Sequence, residues 1–200
     1  MKRVHLGSAL LVASIFAASF AALAQARAEP PLRAEPRAES PLRAEPPLAT
    51  WSARLEPGDA RAGEGARIVV RARIAGSWHL YSTTQPAGGS PRTVIRLLPG
   101  SSLRQAGRVA QPAPQKKPNA ALKITDELYS RAVAFGLPVL IGGGLQGKQR
   151  AFVLVSYALC SQRLCSPPAT VRLAVSFAIA PGRARASRKR ALSSVPPRLG

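Results

Sequence analysis

Acidic residues are scarce in this chain. Nine Asp and Glu stand against 29 Lys and Arg, a formal charge of +20 over 200 residues. A basic balance of that size usually points to nucleic acid or an anionic membrane as partner. Two cysteines are too few for a disulfide-dense miniprotein, and 46% hydrophobic content excludes a collagen-like or fully disordered chain. Histidine is equally sparse. His5 lies in an apolar leader, which leaves His79 alone, so a zinc site built from it and two cysteines would lack a fourth protein ligand. No Gly-x-Gly-x-x-Gly and no Walker loop occurs, and Gly142-Gly143-Gly144 has no helix after it, so it reads as a turn. Neither a cofactor nor a metal is expected.

The apolar residues are concentrated at one end. Met1-Lys2-Arg3 is a short positive region, an apolar run follows from Val4 to Ala24, and Ala24-Gln25-Ala26 supplies an A-x-A cleavage pattern. That order describes a secretory signal peptide over residues 1–26. The competing reading is an uncleaved anchor, since the run approaches the roughly 20 residues that span a bilayer. Its small residues and the A-x-A site favour cleavage, and no nearby cysteine would accept a lipid. The expected mature protein is soluble and exported to the periplasm, where a disulfide can persist.

Residues 27–50 repeat one phrase, Arg-Ala-Glu-Pro-Pro-Leu and its variants, with four Arg balanced by four Glu. Dense proline removes backbone donors and keeps preceding residues extended, so this segment reads as a linker. From Trp51 the pattern changes to period two. Ile68, Val70, Ala72 and Ile74 share one face while Arg67, Arg71 and Arg73 take the other. Val133, Phe135, Leu137, Val139 and Ile141 make a second such set, and Val171, Leu173, Val175 and Phe177 a third. Residues 152–159 read as a more buried strand, and 78–82 and 93–98 as two more. Gly/Pro clusters punctuate these runs, and no amphipathic helix of ten or more residues is evident. The expected fold is an all-β, immunoglobulin-like antiparallel sandwich over residues 51–180. Residues 181–200 carry Arg183, Arg185, Arg188, Lys189, Arg190 and Arg198 without an acid, and read as a disordered basic tail.

The residues with chemistry to offer are then Cys160 and Cys165, in Cys160-Ser161-Gln162-Arg163-Leu164-Cys165 between two expected strands. Closing so short a loop restricts the unfolded chain by only on the order of 2 kcal/mol. A purely stabilising bridge more often joins distant strands, as in antibody domains, whereas exposed, turn-borne bridges are the labile ones. Arg163, between the sulfurs, can favour a thiolate. Spacing alone leaves redox activity and a static hairpin staple both open. His79 alternates with Trp78 and Leu80 on an expected strand and reads as a surface or packing residue.

Tyr157-Ala158-Leu159-Cys160 followed by Cys165-Ser166-Pro167-Pro168-Ala169-Thr170 resembles the active-site hairpin of the amino-terminal periplasmic domain of the thiol:disulfide interchange protein DsbD. Trp51-Ser52-Ala53-Arg54-Leu55-Glu56-Pro57-Gly58, Gly76-Ser77-Trp78-His79-Leu80-Tyr81-Ser82-Thr83-Thr84-Gln85-Pro86, Gly88-Gly89 and Asp126-Glu127-Leu128-Tyr129 extend the likeness, in order and approximate spacing, across residues 51–177. The resemblance implies an immunoglobulin-like domain that passes electrons from a transmembrane partner to periplasmic thioredoxin-like proteins, including disulfide isomerases and cytochrome c maturation factors. It implies that Cys165 forms the mixed disulfide with partners and that Cys160 resolves it. It also implies that Asp126, Glu127, Leu128 and Tyr129 form a cap loop over the sulfurs, with a carboxylate there accepting the thiol proton, and that Tyr81 and Arg163 line the site. Leu128 stands where many relatives carry an aromatic residue, so weaker shielding is expected. A full-length DsbD also has membrane-embedded and thioredoxin-like domains that are missing from these 200 residues, and a separate membrane electron donor is therefore expected.

A competing function is a non-enzymatic immunoglobulin-like binding module with a structural disulfide. Nucleic-acid binding conflicts with export and is not expected. The positive charge, mostly Arg on outward strand positions and in the tail, suits weak attraction to anionic membrane surfaces instead. From Gly65 onward 21 Lys and Arg face only the adjacent acids Asp126 and Glu127, which makes that pair conspicuous.

Overall fold

The computed structural model describes residues 47–186. The leader, the repeat segment up to residue 46, and residues 187–200 lie outside the described residues, and with them the signal-peptide reading, nearly all of the linker reading and most of the tail reading. Among the described residues the period-two runs become strands. In chain order these are β1 (Ala49–Glu56), β2 (Gly65–Ile74), β3 (His79–Tyr81), β4 (Val94–Leu97), β5 (Leu103–Gln105), β6 (Gln115–Asn119), β7 (Ile124–Ser130), β8 (Ala132–Ile141), β9 (Gly147–Tyr157), β10 (Leu159–Cys160) and β11 (Ala169–Ile179).

Three antiparallel sheets result, ordered β1-β2-β8-β5, β10-β3-β7-β6 and β11-β9-β4. Their inward residues share one hydrophobic core: Ile68 and Val70 from β2, Phe135 and Leu137 from β8, Leu80 from β3, Val153 and Val155 from β9, and Val175 from β11. Register follows from this pattern, because a slip of one residue would turn each apolar set outward. Val70 accordingly opposes Phe135, and Ile68 opposes Leu137. The outcome is the immunoglobulin-like sandwich expected from strand number and spacing. Outward positions carry the arginines: Arg73 is exposed, Arg67 and Arg71 are half-buried, and the Arg172 guanidinium lies 3.7 Å from the centre of the Phe152 ring, a cation–π contact that covers an outward aromatic.

The structure departs from the sequence reading in two strands that bear on function. The run 152–159 is not one strand. It divides at Ala158, so that β9 belongs to the third sheet and β10 to the second, which carries Cys160 away from the direction of β9. Asp126, Glu127, Leu128 and Tyr129, expected in a loop, lie within β7, flanked by β3 and β6. Its partner β6 is Gln-Lys-Lys-Pro-Asn, polar and exposed, and tolerates Pro118 because it is an edge strand. No alternation of apolar residues announces either strand.

The tail boundary also shifts. Globular contacts do not stop at Ala180: Arg185 returns to the turn between β1 and β2 and binds the fully buried Glu64. Its backbone N and Nε donate to Glu64 Oε1 at 2.8 and 2.7 Å, and its Nη2 donates to Oε2 at 2.8 Å. The Arg61 backbone N donates to Oε2 at 3.0 Å, and Arg185 Nη1 reaches Asp59 Oδ2 at 3.0 Å. A buried carboxylate needs such partners, since unpaired charge is costly in a low-dielectric interior. The Arg185 guanidinium is the main cause that lowers the Glu64 carboxyl from 4.5 to about 2. A lowered folded-state value gives stability that is complete above about pH 4.5 and is lost as pH falls toward 2. Arg185→Ala should therefore lower the thermal midpoint by several degrees at pH 7. In melts followed by circular dichroism, that gap to wild type should narrow as pH falls from about 4.5 toward 2.

Candidate functional site

The two cysteines sit on a tight hairpin. Leu159 and Ser166 pair across it, with Ser166 N donating to Leu159 O at 2.7 Å and Leu159 N donating to Ser166 Oγ at 3.2 Å. Ser161 closes the tip. Its hydroxyl accepts from the backbone N of Arg163 and of Leu164, both at 3.2 Å, and its own N donates to Leu164 O at 2.8 Å, the local side-chain bonding typical of serine in turns. Pro167 and Pro168 then end the pairing before β11. This brings the Cys160 and Cys165 Cα atoms to 4.0 Å, joined by a disulfide. The two sulfurs have different surroundings. Cys160 is 2% exposed, whereas Cys165, Arg163 and Leu164 are exposed at the tip.

Sheet register explains the burial of Cys160. Leu159 opposes Leu80 and Leu80 opposes Tyr129, all three in the core. Cys160 opposes His79, which opposes Ser130, so their side chains share the other face of the sheet. Tyr81 and Leu128, two residues further along β3 and β7, lie on that face too and are buried. Tyr129 does not. Its ring packs edge-on against Phe135 at 5.8 Å, and its hydroxyl donates to Pro112 O at 2.6 Å; burial, then the nearby Glu127 charge, push its phenol upward. Tyr129 is a core residue, separated from the sulfurs by its own strand.

What lies against Cys160 is the connection between β3 and β4, residues 82–93. Ser90 Oγ is 3.5 Å from Cys160 Sγ. A disulfide sulfur carries no hydrogen, so the hydroxyl donates. The adjacent Gly89 packs closely: a Cβ there would come within 2.6 Å of Ile124 Cδ1, so the end of that side chain or the connection itself would have to shift.

Asp126 and Glu127 fasten that connection down. Asp126, buried, accepts from Gln85 Nε2 at 2.6 Å and Asn119 Nδ2 at 2.9 Å. Glu127 Oε2 accepts from Ser82 Oγ at 2.7 Å and Thr84 Oγ1 at 2.5 Å, and the Glu127 backbone N donates to Gln85 Oε1 at 2.7 Å. The Thr84 and Ser82 hydroxyls hold the Glu127 carboxyl below its ordinary value, which suits it to remain ionised as an anchor. The structure thus brings the acid pair to residues 82–85, while the hydrogen bonds to both carboxylates come from residues other than the cysteines.

His79, read from sequence as a surface or packing residue, is half-buried directly opposite Cys160, with Nε2 3.3 Å from the Tyr81 hydroxyl. Burial, then the Lys117 charge, lower its imidazole below the ordinary value, and the Asp126 charge opposes them. Ser90 was likewise hidden in the punctuation Gly88-Gly89-Ser90-Pro91. The one signal available for His79 was its two-residue spacing from Tyr81. Among the described residues no cluster of His, Cys, Asp and Glu could hold a metal ion, and no helix is long and apolar enough to cross a membrane.

Among solved structures, the chain is similar to the reduced amino-terminal domain of Neisseria meningitidis DsbD, at 19% identity and TM-score 0.38 over 62% of this chain and 82% of that one. The same domain in a complex with the PilB amino-terminal domain gives 17% identity and TM-score 0.39 over 66% and 84%. The amino-terminal periplasmic domain of ScsB from Proteus mirabilis gives 15% and 0.42 over 64% of this chain and 44% of that one. No curated protein is matched. The family model for the amino-terminal domain of the thiol:disulfide interchange protein DsbD matches residues 47–176, more than half of the 200 residues, and ends within β11, past the cysteine hairpin. The chain belongs to that family, and Cys160 and Cys165 are a disulfide pair within its bounds.

Proposed function

We propose that this chain is an exported thiol–disulfide exchange protein that carries two electrons from a separate membrane reductase to periplasmic thioredoxin-like proteins, cytochrome c maturation factors among them. The observation that carries this reading is the asymmetry of the bridge: one cysteine buried, the other exposed in the hairpin. Family membership supplies the reaction class. A donor thiolate attacks Cys165 Sγ, the Cys160–Cys165 bond breaks, and Cys160 leaves as a thiolate; a second donor thiol then releases the domain as a dithiol. Toward a client, the Cys165 thiolate attacks the client disulfide to form a mixed disulfide. Cys160 attacks Cys165 Sγ, the internal bridge re-forms, and the client leaves reduced by two electrons. Arg54 and Arg73 on the outer faces of β1 and β2 support the further part of this reading, a weak attraction to anionic membrane surfaces.

Cys160→Ala removes the resolving sulfur and should accumulate reductant-sensitive adducts on Cys165 in a periplasmic extract, identified by mass spectrometry as thioredoxin-fold proteins. Cys165→Ala should capture none. A bridge with a potential far below about −300 mV, untouched by a thioredoxin-fold reductase, would instead make the disulfide a staple of a binding module.

The same reading assigns residues 82–93 a shielding role over Cys160. Gly89→Ala brings a Cβ within 2.6 Å of Ile124 Cδ1, so either that side-chain end or this connection must move, and a displaced connection should let a small thiol such as dithiothreitol reduce the bridge several-fold faster. Parallel melts should show only a small loss of stability, because the substitution is in a connection rather than the core.

A further inference from the structure

We propose that Ser90 and His79 activate Cys160 for the resolving step: the Ser90 hydroxyl donates to the Cys160 thiolate, and the His79 imidazole takes up its proton. This inference rests on the exchange reading, and it places the chemistry on residues other than the acid pair from which the family resemblance drew a proton acceptor. Two independent placements carry it. The connection after β3 sets Ser90 Oγ 3.5 Å from Cys160 Sγ, and the β10–β3 register sets His79 directly across from Cys160 on the same face. Antiparallel partners on one face have Cβ atoms about 5 Å apart, within reach of a proton relay through a water or a small side-chain adjustment.

The surroundings suit these roles. Cys160 is almost fully buried, and a buried thiolate without a donor is disfavoured; a hydroxyl aimed at the sulfur offsets that cost. His79 faces Tyr81 along its strand, and Lys117 and Asp126 act on it from β6 and β7. Burial and Lys117 together keep the imidazole neutral, the form that accepts a proton. Arg163, the remaining charge in the hairpin, is exposed at its tip. The carboxylates of Asp126 and Glu127 are occupied by Gln85, Asn119, Ser82 and Thr84.

The balance of the step is closed. Cys160 Sγ loses a proton to His79, its electron pair forms the bond to Cys165 Sγ, the bond from Cys165 to the partner sulfur breaks, and the partner leaves as a thiolate that is reprotonated from solvent or from His79.

The test uses the full mature chain, reduced and mixed with an aromatic disulfide that releases a coloured thiolate. The first release reports attack by Cys165, and the second reports resolution by Cys160. Ser90→Ala should move the pH midpoint of the second release upward by about one unit and slow it about threefold at pH 7, less than tenfold because a more basic thiolate is also more nucleophilic. Ser90→Thr should restore it. His79→Gln should slow the second release near neutrality. Both variants should converge on wild type at alkaline pH, where Cys160 ionises unaided. The first release, by contrast, should be unchanged throughout. An unaltered second release, or a loss independent of pH, overturns the proposal. Failure of the exchange reading would look different, since the colour releases would behave as stated while thioredoxin-fold proteins still failed to exchange.

Discussion

The hydrogen bonds that Asp126 and Glu127 accept from residues 82–85 hold the site together. β7 is the central strand between β3 and β6, and its adjacent acids point to opposite faces, so one dipeptide grips the start of the connection from both sides. Asp126 takes Gln85, Glu127 takes Ser82 and Thr84, and the Glu127 amide donates to the same Gln85 side chain. Charge-assisted bonds of this kind are stronger than neutral ones, and here they act on a segment with little apolar content to bury. Further along the connection, Gly89 rests on Ile124 and Ser90 lies against Cys160.

That use of carboxylates belongs to a wider pattern set by the chain's charge. Five acids lie among the described residues, and each accepts a hydrogen bond: Glu56 from Arg54, Asp59 and Glu64 from Arg185, Asp126 from Gln85 and Asn119, and Glu127 from Ser82 and Thr84. With positive charge so much in excess, an acid has favourable electrostatics almost anywhere on this surface. Two of the five are nevertheless buried, where only specific donors can compensate for lost hydration. Glu64 and Asp126 therefore each tie irregular chain to the sandwich, Glu64 at the return of Arg185 and Asp126 at the connection over the disulfide.

Much of the sandwich was legible because its central strands obey one rule. Ile68, Val70, Ala72 and Ile74, or Val133 through Ile141 at every second residue, declare an inward face without reference to anything distant. β6 and β7 do not, because their stability comes from neighbours: Pro118 is acceptable only at an edge, and Asp126 is acceptable in a strand only once Gln85 and Asn119 reach it. Family resemblance pointed to the Asp126-Glu127 dipeptide and described it as a loop, since the likeness lies in residue order and says nothing of pairing with β3. Arg185 was invisible for a related reason. A basic residue in a basic tail carries no local mark of having a buried carboxylate 121 residues earlier. The cysteine pair was legible from spacing, whereas His79 and Ser90 emerge only from the β10–β3 register and the path of a connection.

Register also accounts for the unequal exposure of the two cysteines. Leu159 must face the core with Leu80 and Tyr129, so the next residue, Cys160, must face the other side, under residues 82–93. Five residues on, after the turn at Ser161, Cys165 pairs back with Cys160 at the sheet's edge and is exposed. A shift of one residue in β10 would exchange the environments of Leu159 and Cys160 and would leave Ser90 without its sulfur. The buried and exposed ends of the bridge are thus set by a single leucine's place in the core, while the bridge itself closes too short a loop to contribute more than on the order of 2 kcal/mol to stability. A core contact thus orients a disulfide whose own stabilisation is small, so the sheet that presents the bond does not depend on it.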